Sequence, residues 1–195
     1  MAKDIFRTPL AEARWAHLIT PRHQLDKSKP KAWTADLLLP NSDEKAQSFL
    51  LAMEDQFIAL HGSRKRRAEK GFPWKPDKEK PSEITVVRFK VPQFQRRDGS
   101  LSDGPRIVDA KKQPWDGAAI GNGSKVVIAF DIYDWDGENG CGMTFQPRAV
   151  QVVEFVPYEQ VDPTDGFEEV EGYTTSASSA GDWSTGAAED GEELF

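Results

Sequence analysis

Two runs of the chain, Ile84–Phe94 (ITVVRFKVPQF) and Lys125–Trp135 (KVVIAFDIYDW), alternate in character with a period of two. Successive side chains on a β-strand point to opposite faces, so this period predicts strands with two unlike sides. In the first run Val87, Phe89 and Val91 make an apolar side, while Arg88, Lys90 and Phe94 share the other. In the second, Val126, Ile128, Phe130 and Ile132 point one way, and Lys125, Tyr133 and Trp135 the other. The apolar sides need a core to cover them. The opposite sides bring cations and aromatic rings together.

The same reading gives shorter strands over residues 10–20, 31–39, 105–109, 142–147 and 149–156, with Asp98-Gly99 and Asp136-Gly137 as hairpin turns. One long helix is expected over 42–70. Asn41 to Glu44 supply its cap and first-turn acids, and Arg64 to Arg67 suit its C-terminal end. Ala46, Phe49, Leu50, Met53, Phe57 and Leu60 lie on one face of that helix and read as core packing. Several short strands and one helix predict a mainly β protein: a small β-barrel of the OB-fold type, capped by the α-helix.

From about Val161 the hydrophobic periodicity stops. The remainder is rich in Gly, Ser, Thr and acids, the composition of a segment that stays disordered when free. The expected organisation is a folded domain over 1–160 and a disordered acidic tail over 161–195. Charge divides the same way. Residues through Arg148 include 25 basic and 20 acidic side chains, a net +5; those after it include twelve acidic and no basic ones, a net −12. Such asymmetry marks an interaction tail or a nucleic-acid partner.

Several other functions find little support. One cysteine, Cys141, leaves no internal disulfide or Cys-rich zinc site, and His17, His23 and His61 lack ligand spacing. No metal or other cofactor is expected. No run approaches the roughly 20 apolar residues of a membrane span, and MAKDIFRTPL lacks the apolar segment of a secretory signal. The glycine-rich 121–125 (GNGSK) lacks phosphate-loop spacing and reads as a turn before a strand. Asp131, Asp134 and Asp136 do not fit a calcium loop, because Ile132 and Met143 would hold its first and last positions. No local Ser/His/Asp or Cys/His set suggests an enzyme.

Cations that follow phosphates and rings that stack on bases are what single-stranded nucleic acid requires. The candidate DNA contacts are therefore Arg88, Lys90, Phe94, Lys125, Tyr133 and Trp135. The chain ends in AEDGEELF, residues 188–195. A flexible polyanion bearing an aromatic resembles a nucleic-acid strand, so the tail is expected to compete for the same groove at high effective concentration. Released from it, Glu192, Glu193, Leu194 and Phe195 would serve as a handle for partner proteins.

An ordered set of motifs carries a family resemblance. MAK-x-IF opens the chain, D-x-x-x-PN-x-D runs from Asp36 to Asp43, and RFKVPQFQ spans 88–95. VDAKKQ follows at 108–113, G-x-GSK at 121–125, Y-x-W at 133–135, and Phe195 closes the acidic tail. Together they resemble the single-stranded-DNA-binding proteins of bacteriophages, in particular the replication type of the T-odd coliphages. The likeness runs over most of the chain and is weaker in 60–83 and 160–185. It implies an OB-fold homodimer that coats single-stranded DNA without sequence preference during phage replication, recombination and repair, in the cytoplasm of the infected host. It also implies that the tail contacts DNA polymerase and helicase-primase, and that Lys3 and Tyr133 touch DNA. Two other readings stay open: an acidic DNA-mimic inhibitor of a host enzyme, and an OB-fold nuclease using scattered Asp residues with a metal. The net positive body speaks against the mimic, whose acids should cover the fold.

Overall fold

The computed structural model describes residues 4–62, 67–158, 167, 168 and 171. The chain divides into two units, Met1–Glu159 and Gln160–Phe195, and the first contains all the regular structure described. Its elements are β1 (Phe6–Arg7), β2 (Ala11–Arg22), β3 (Ala32–Pro40), α1 (Glu44–His61), β4 (Trp74–Pro76), β5 (Ile84–Pro92), β6 (Arg106–Val108), β7 (Lys125–Gly137) and β8 (Gly140–Glu154).

Five strands close into a barrel. β2 pairs with β3, β3 with β5, β5 with β8, β8 with β7, and β7 returns to β2. All these pairs are antiparallel except β5 with β8, which meet in parallel at Phe89 and Phe145. This is the five-stranded closure of an OB-fold. β1 extends one edge of β7 beside Phe130, β4 adds to β5, and β6 runs parallel to β8.

The period-two reading holds in the strands that matter most. Val87, Phe89, Val126, Ile128, Phe130 and Phe145 are all fully buried. Phe89, Phe130 and Phe145 form a triangle of rings with centroids 4.5–5.7 Å apart. α1 closes the barrel over this triangle, its Phe49 meeting Phe130 and Phe145 edge-on.

Four expectations are corrected. The helix runs from Glu44 to His61 rather than over 42–70. Asp43 caps its start, accepting from the Lys45 N–H at 2.9 Å, and Gly62 stops it at φ 72°, a conformation glycine adopts without steric cost. Leu60, assigned to the core, is instead exposed. The strands expected at 142–147 and 149–156 are one strand, β8. Pro147 has no N–H to give the ladder, and the register with β7 shifts there, leaving Arg148 as an inserted residue rather than a break. The turn expected at Asp136-Gly137 lies two residues later, at Glu138-Asn139, with Gly137 paired to Gly140.

Asp77 secures the hairpin between β4 and β5. It accepts from the Arg14 guanidinium and from the N–H groups of Glu79 and Lys80. The Arg14 hydrogen bond and then those N–H groups hold its carboxyl down to about 2, against an ordinary 3.8. A depressed folded-state pKa stabilises above the unfolded value and is lost as pH falls through the folded one. Asp77 should therefore make denaturant stability fall between about pH 4 and pH 2. Asp77→Asn should flatten the pH dependence in that window, as urea unfolding at stepped pH would measure.

Candidate nucleic-acid interface

The outward side of β3 and β5 is the floor of a groove. Asp36 on β3 lies opposite Arg14 on β2 and Arg88 on β5, and one row away Thr34 lies opposite His17 and Lys90. The alternation that buries Phe89 therefore raises Arg88 and Lys90 on the other side of the same strand. Two cavities of about 490 and 500 Å³ meet at these two cations. The first reaches toward Phe72, Trp74, Lys75 and Thr144. The second reaches the β2–β3 loop at His23, Gln24 and Lys29.

Burial and charge tune the cations. Lys90 Nζ donates to Gln24 Oε1, a neutral partner. Partial burial, then Lys29 and Arg88 nearby, lower its pKa from the ordinary lysine value, so an incoming anion would be favoured there. Arg88 is held by Asp36 through two hydrogen bonds of 2.7 Å. Those bonds raise its pKa, outweighing partial burial. His17 is pushed below its ordinary value by burial first and then by Arg22.

Tyr133 joins this surface through the closing pair. Phe145 faces Phe89 across β5 and β8, so Thr144 shares the outward side with Arg88 and Lys90; Tyr133 pairs with Thr144 and is half exposed. Trp135, two residues on, is half buried. A Cβ on Gly142 would lie 2.2 Å from its Cζ2, so the glycine gives the indole its seat. Of the residues anticipated from sequence, the structure thus gathers Arg88, Lys90 and Tyr133 on one side of the barrel, with Trp135 next to them.

The others lie elsewhere. Lys125 is at the far end of β7, roughly 26 Å from Tyr133 at ~3.3 Å per residue, and is paired with Glu154 at 2.9 Å. Phe94 is exposed beyond the end of β5, in a hairpin where its N–H donates to Ser102 Oγ. Lys3, Glu192, Glu193, Leu194 and Phe195 lie outside the described residues.

The groove also contains residues that sequence reasoning missed. Phe72 and Trp74 stack at 4.2 Å and 17°, and Trp74 rests on the core ring of Phe145 at 5.9 Å. Arg67 lies 4.3 Å over the Phe72 ring. The alternation of rings and lysine in Phe72–Lys75 (FPWK) was the available signal. His17 and Arg22 were hidden in a strand that carries no run of cations.

No protein-family model matches the sequence, and no curated protein matches it. Solved structures do. The chain resembles gp2.5, the single-stranded-DNA-binding protein encoded by bacteriophage T7, with a TM-score of 0.60 at 22% identity, over 90% of this chain and 100% of that one. It also resembles the single-stranded-DNA-binding protein of bacteriophage Enc34 in complex with ssDNA, with a TM-score of 0.61 at 13% identity, over 80% and 89% of the two chains. A C-terminally truncated form of the Enc34 protein matches equally, at 0.61 and 12% identity, over 79% and 88%. The fold is that of phage single-stranded-DNA-binding proteins. Within this OB-fold, β3 and β5 occupy the places of the second and third barrel strands, the face with which such barrels hold oligonucleotides. The groove described above lies on that face.

Proposed function

We propose that this chain is a non-enzymatic single-stranded-DNA-binding protein of a phage, which coats the strand without reading its sequence. The observation that carries the reading is the outward side of β5. There Arg88 and Lys90 share one side of the barrel with a ring platform at Phe72 and Trp74 and with the exposed Tyr133. Cations and rings side by side suit any sequence, because phosphates recur along a strand and every base has a π face. Part of the same proposal is a role in replication, recombination and repair, as a homodimer. The acidic end of the chain would shield the groove from weak ligands and recruit DNA polymerase and helicase-primase.

The mimic reading is disfavoured by the cations on this face. No observation favours the nuclease reading: among the described residues no group of three His, Cys, Asp or Glu side chains points to a metal site.

The test is a fluorescence titration of oligo-dT with the full chain and with a chain ending at Gln160, at two salt concentrations. Affinity should fall as salt rises, since each phosphate contact on a single strand contributes about −0.7 to the slope of log K against log salt. The shortened chain should bind more tightly at low salt, having lost most of the net −12 charge that follows Arg148. Absence of binding by both forms would remove the proposal. Weaker binding by the shortened chain would remove the competing tail alone.

A further inference from the structure

Arg88 lines both halves of the groove, yet one forked edge of its guanidinium is already taken within the fold. Nε donates to Asp36 Oδ1 and Nη2 to Asp36 Oδ2, each at 2.7 Å. One of the two edges that arginine offers for two-pronged recognition of an oxyanion, the Nε–Nη2 edge, is therefore occupied by a carboxylate of its own fold. Asp36 cannot easily swing away. It lies directly opposite Arg88 in the β3–β5 ladder and is 5% exposed.

The pair is also neutral as a whole. A phosphate approaching Arg88 meets the charge of Asp36 at nearly the same range, so the pair neutralises little of the phosphate's charge and displaces few of the counterions condensed on the strand. Lys90 differs: its ammonium rests on the neutral Gln24 and keeps its charge available. The two neighbours on β5 thus divide the work of holding a strand. What remains open on Arg88 is its stem, the Nη1–Nη2 end and the flat of the guanidinium, the Arg88 side chain being 58% exposed. A planar cation fixed along one edge is a surface on which a base can stack, and little orientational freedom is left to lose when it does.

We propose that Arg88, clamped along one edge by Asp36, stacks on a nucleobase rather than contacting a phosphate, with Asp36 as its positioning residue. This rests on the single-strand reading above. Lys90 supplies the phosphate contact at this point of the groove, and Tyr133 and Trp74 provide further stacking surfaces on the β8 side of β5.

The test uses the full chain and two strands of equal length, oligo-dT and the same backbone without bases, each titrated over a range of salt. Arg88→Lys keeps the charge and can still pair with Asp36, but loses the plane. It should weaken oligo-dT binding about fivefold or more, the low end of what one stacked base is worth. Its salt slope should be unchanged, and its affinity for the abasic strand should equal that of wild type. Asp36→Asn keeps the shape and frees the guanidinium edge, so its salt slope should steepen by about 0.7, one added phosphate. Equal weakening on both strands, or no weakening on either, overturns the stacking role. An unchanged slope in a folded Asp36→Asn overturns the positioning role; if that variant does not fold, the two-strand comparison of Arg88→Lys decides. Wild-type protein that binds neither strand overturns the groove reading itself, and that arm separates the two failures.

Discussion

Phe145→Ala should lower the unfolding free energy by about 3–5 kcal/mol, the cost of deleting a buried phenylalanine and leaving a cavity behind. Phe145 is fully buried and its ring meets those of Phe49, Trp74, Phe89 and Phe130. It also sits at the one register pair between β5 and β8, opposite Phe89. Few neighbours can collapse into the gap, because three of those rings belong to other strands and one to the helix. Small domains are stable by only about 5–15 kcal/mol, so the variant should lie at the edge of folding at 25 °C. A denaturant titration reads the loss directly. A change below about 1 kcal/mol would mean that the ring cluster is not the keystone of the barrel. Trp74 rests on Phe145, so DNA affinity should fall with stability in this variant.

Tyr133→Ala should separate those two quantities. Tyr133 is half exposed on the outward side of β7, so removing its ring should leave the unfolding midpoint nearly unchanged. Single-strand affinity should fall roughly 5- to 150-fold, corresponding to about 1–3 kcal/mol for one stacked base. Tyr133→Phe keeps the π face and should retain most of the affinity. The salt slope should be the same in all three proteins, because a ring releases no counterions. Unchanged affinity in Tyr133→Ala would show that the strand does not reach the β7–β8 hairpin, and would confine the interface to β3, β5 and the β2–β3 loop.

How much of this was legible in the sequence differs from strand to strand. β5 and β7 were readable because their alternation is regular, and a residue whose neighbour is buried must face outward; Arg88, Lys90 and Tyr133 follow. β2 was not. Arg14 and His17 share one side of it, three residues apart, because the strand bulges at Trp15, which takes a φ of 55°. Counting by twos places them on opposite sides. Trp74 escaped for a different reason: its strand is three residues long and ends in proline, too short for any period to show. Lys125 shares the parity of Tyr133 but not its position, since alternation reports which side a residue faces and says nothing of distance along the strand. The pairing of Arg88 with Asp36 depends on the β3–β5 register, which no local pattern announces.

One consequence follows from β5 serving two sides at once. Its odd-numbered residues fill the barrel and its even-numbered ones hold the groove, with a single layer of backbone between them. Gain or loss of one residue near the start of β5 would exchange the two sets beyond it, placing Arg88 in the core and Phe89 in water. Changes in chain length should therefore be tolerated in the loop between Gln93 and Pro105 and rejected in the strand that precedes it. Insertion scanning from Ile84 to Pro105 should return functional clones only beyond Pro92, where the strand ends.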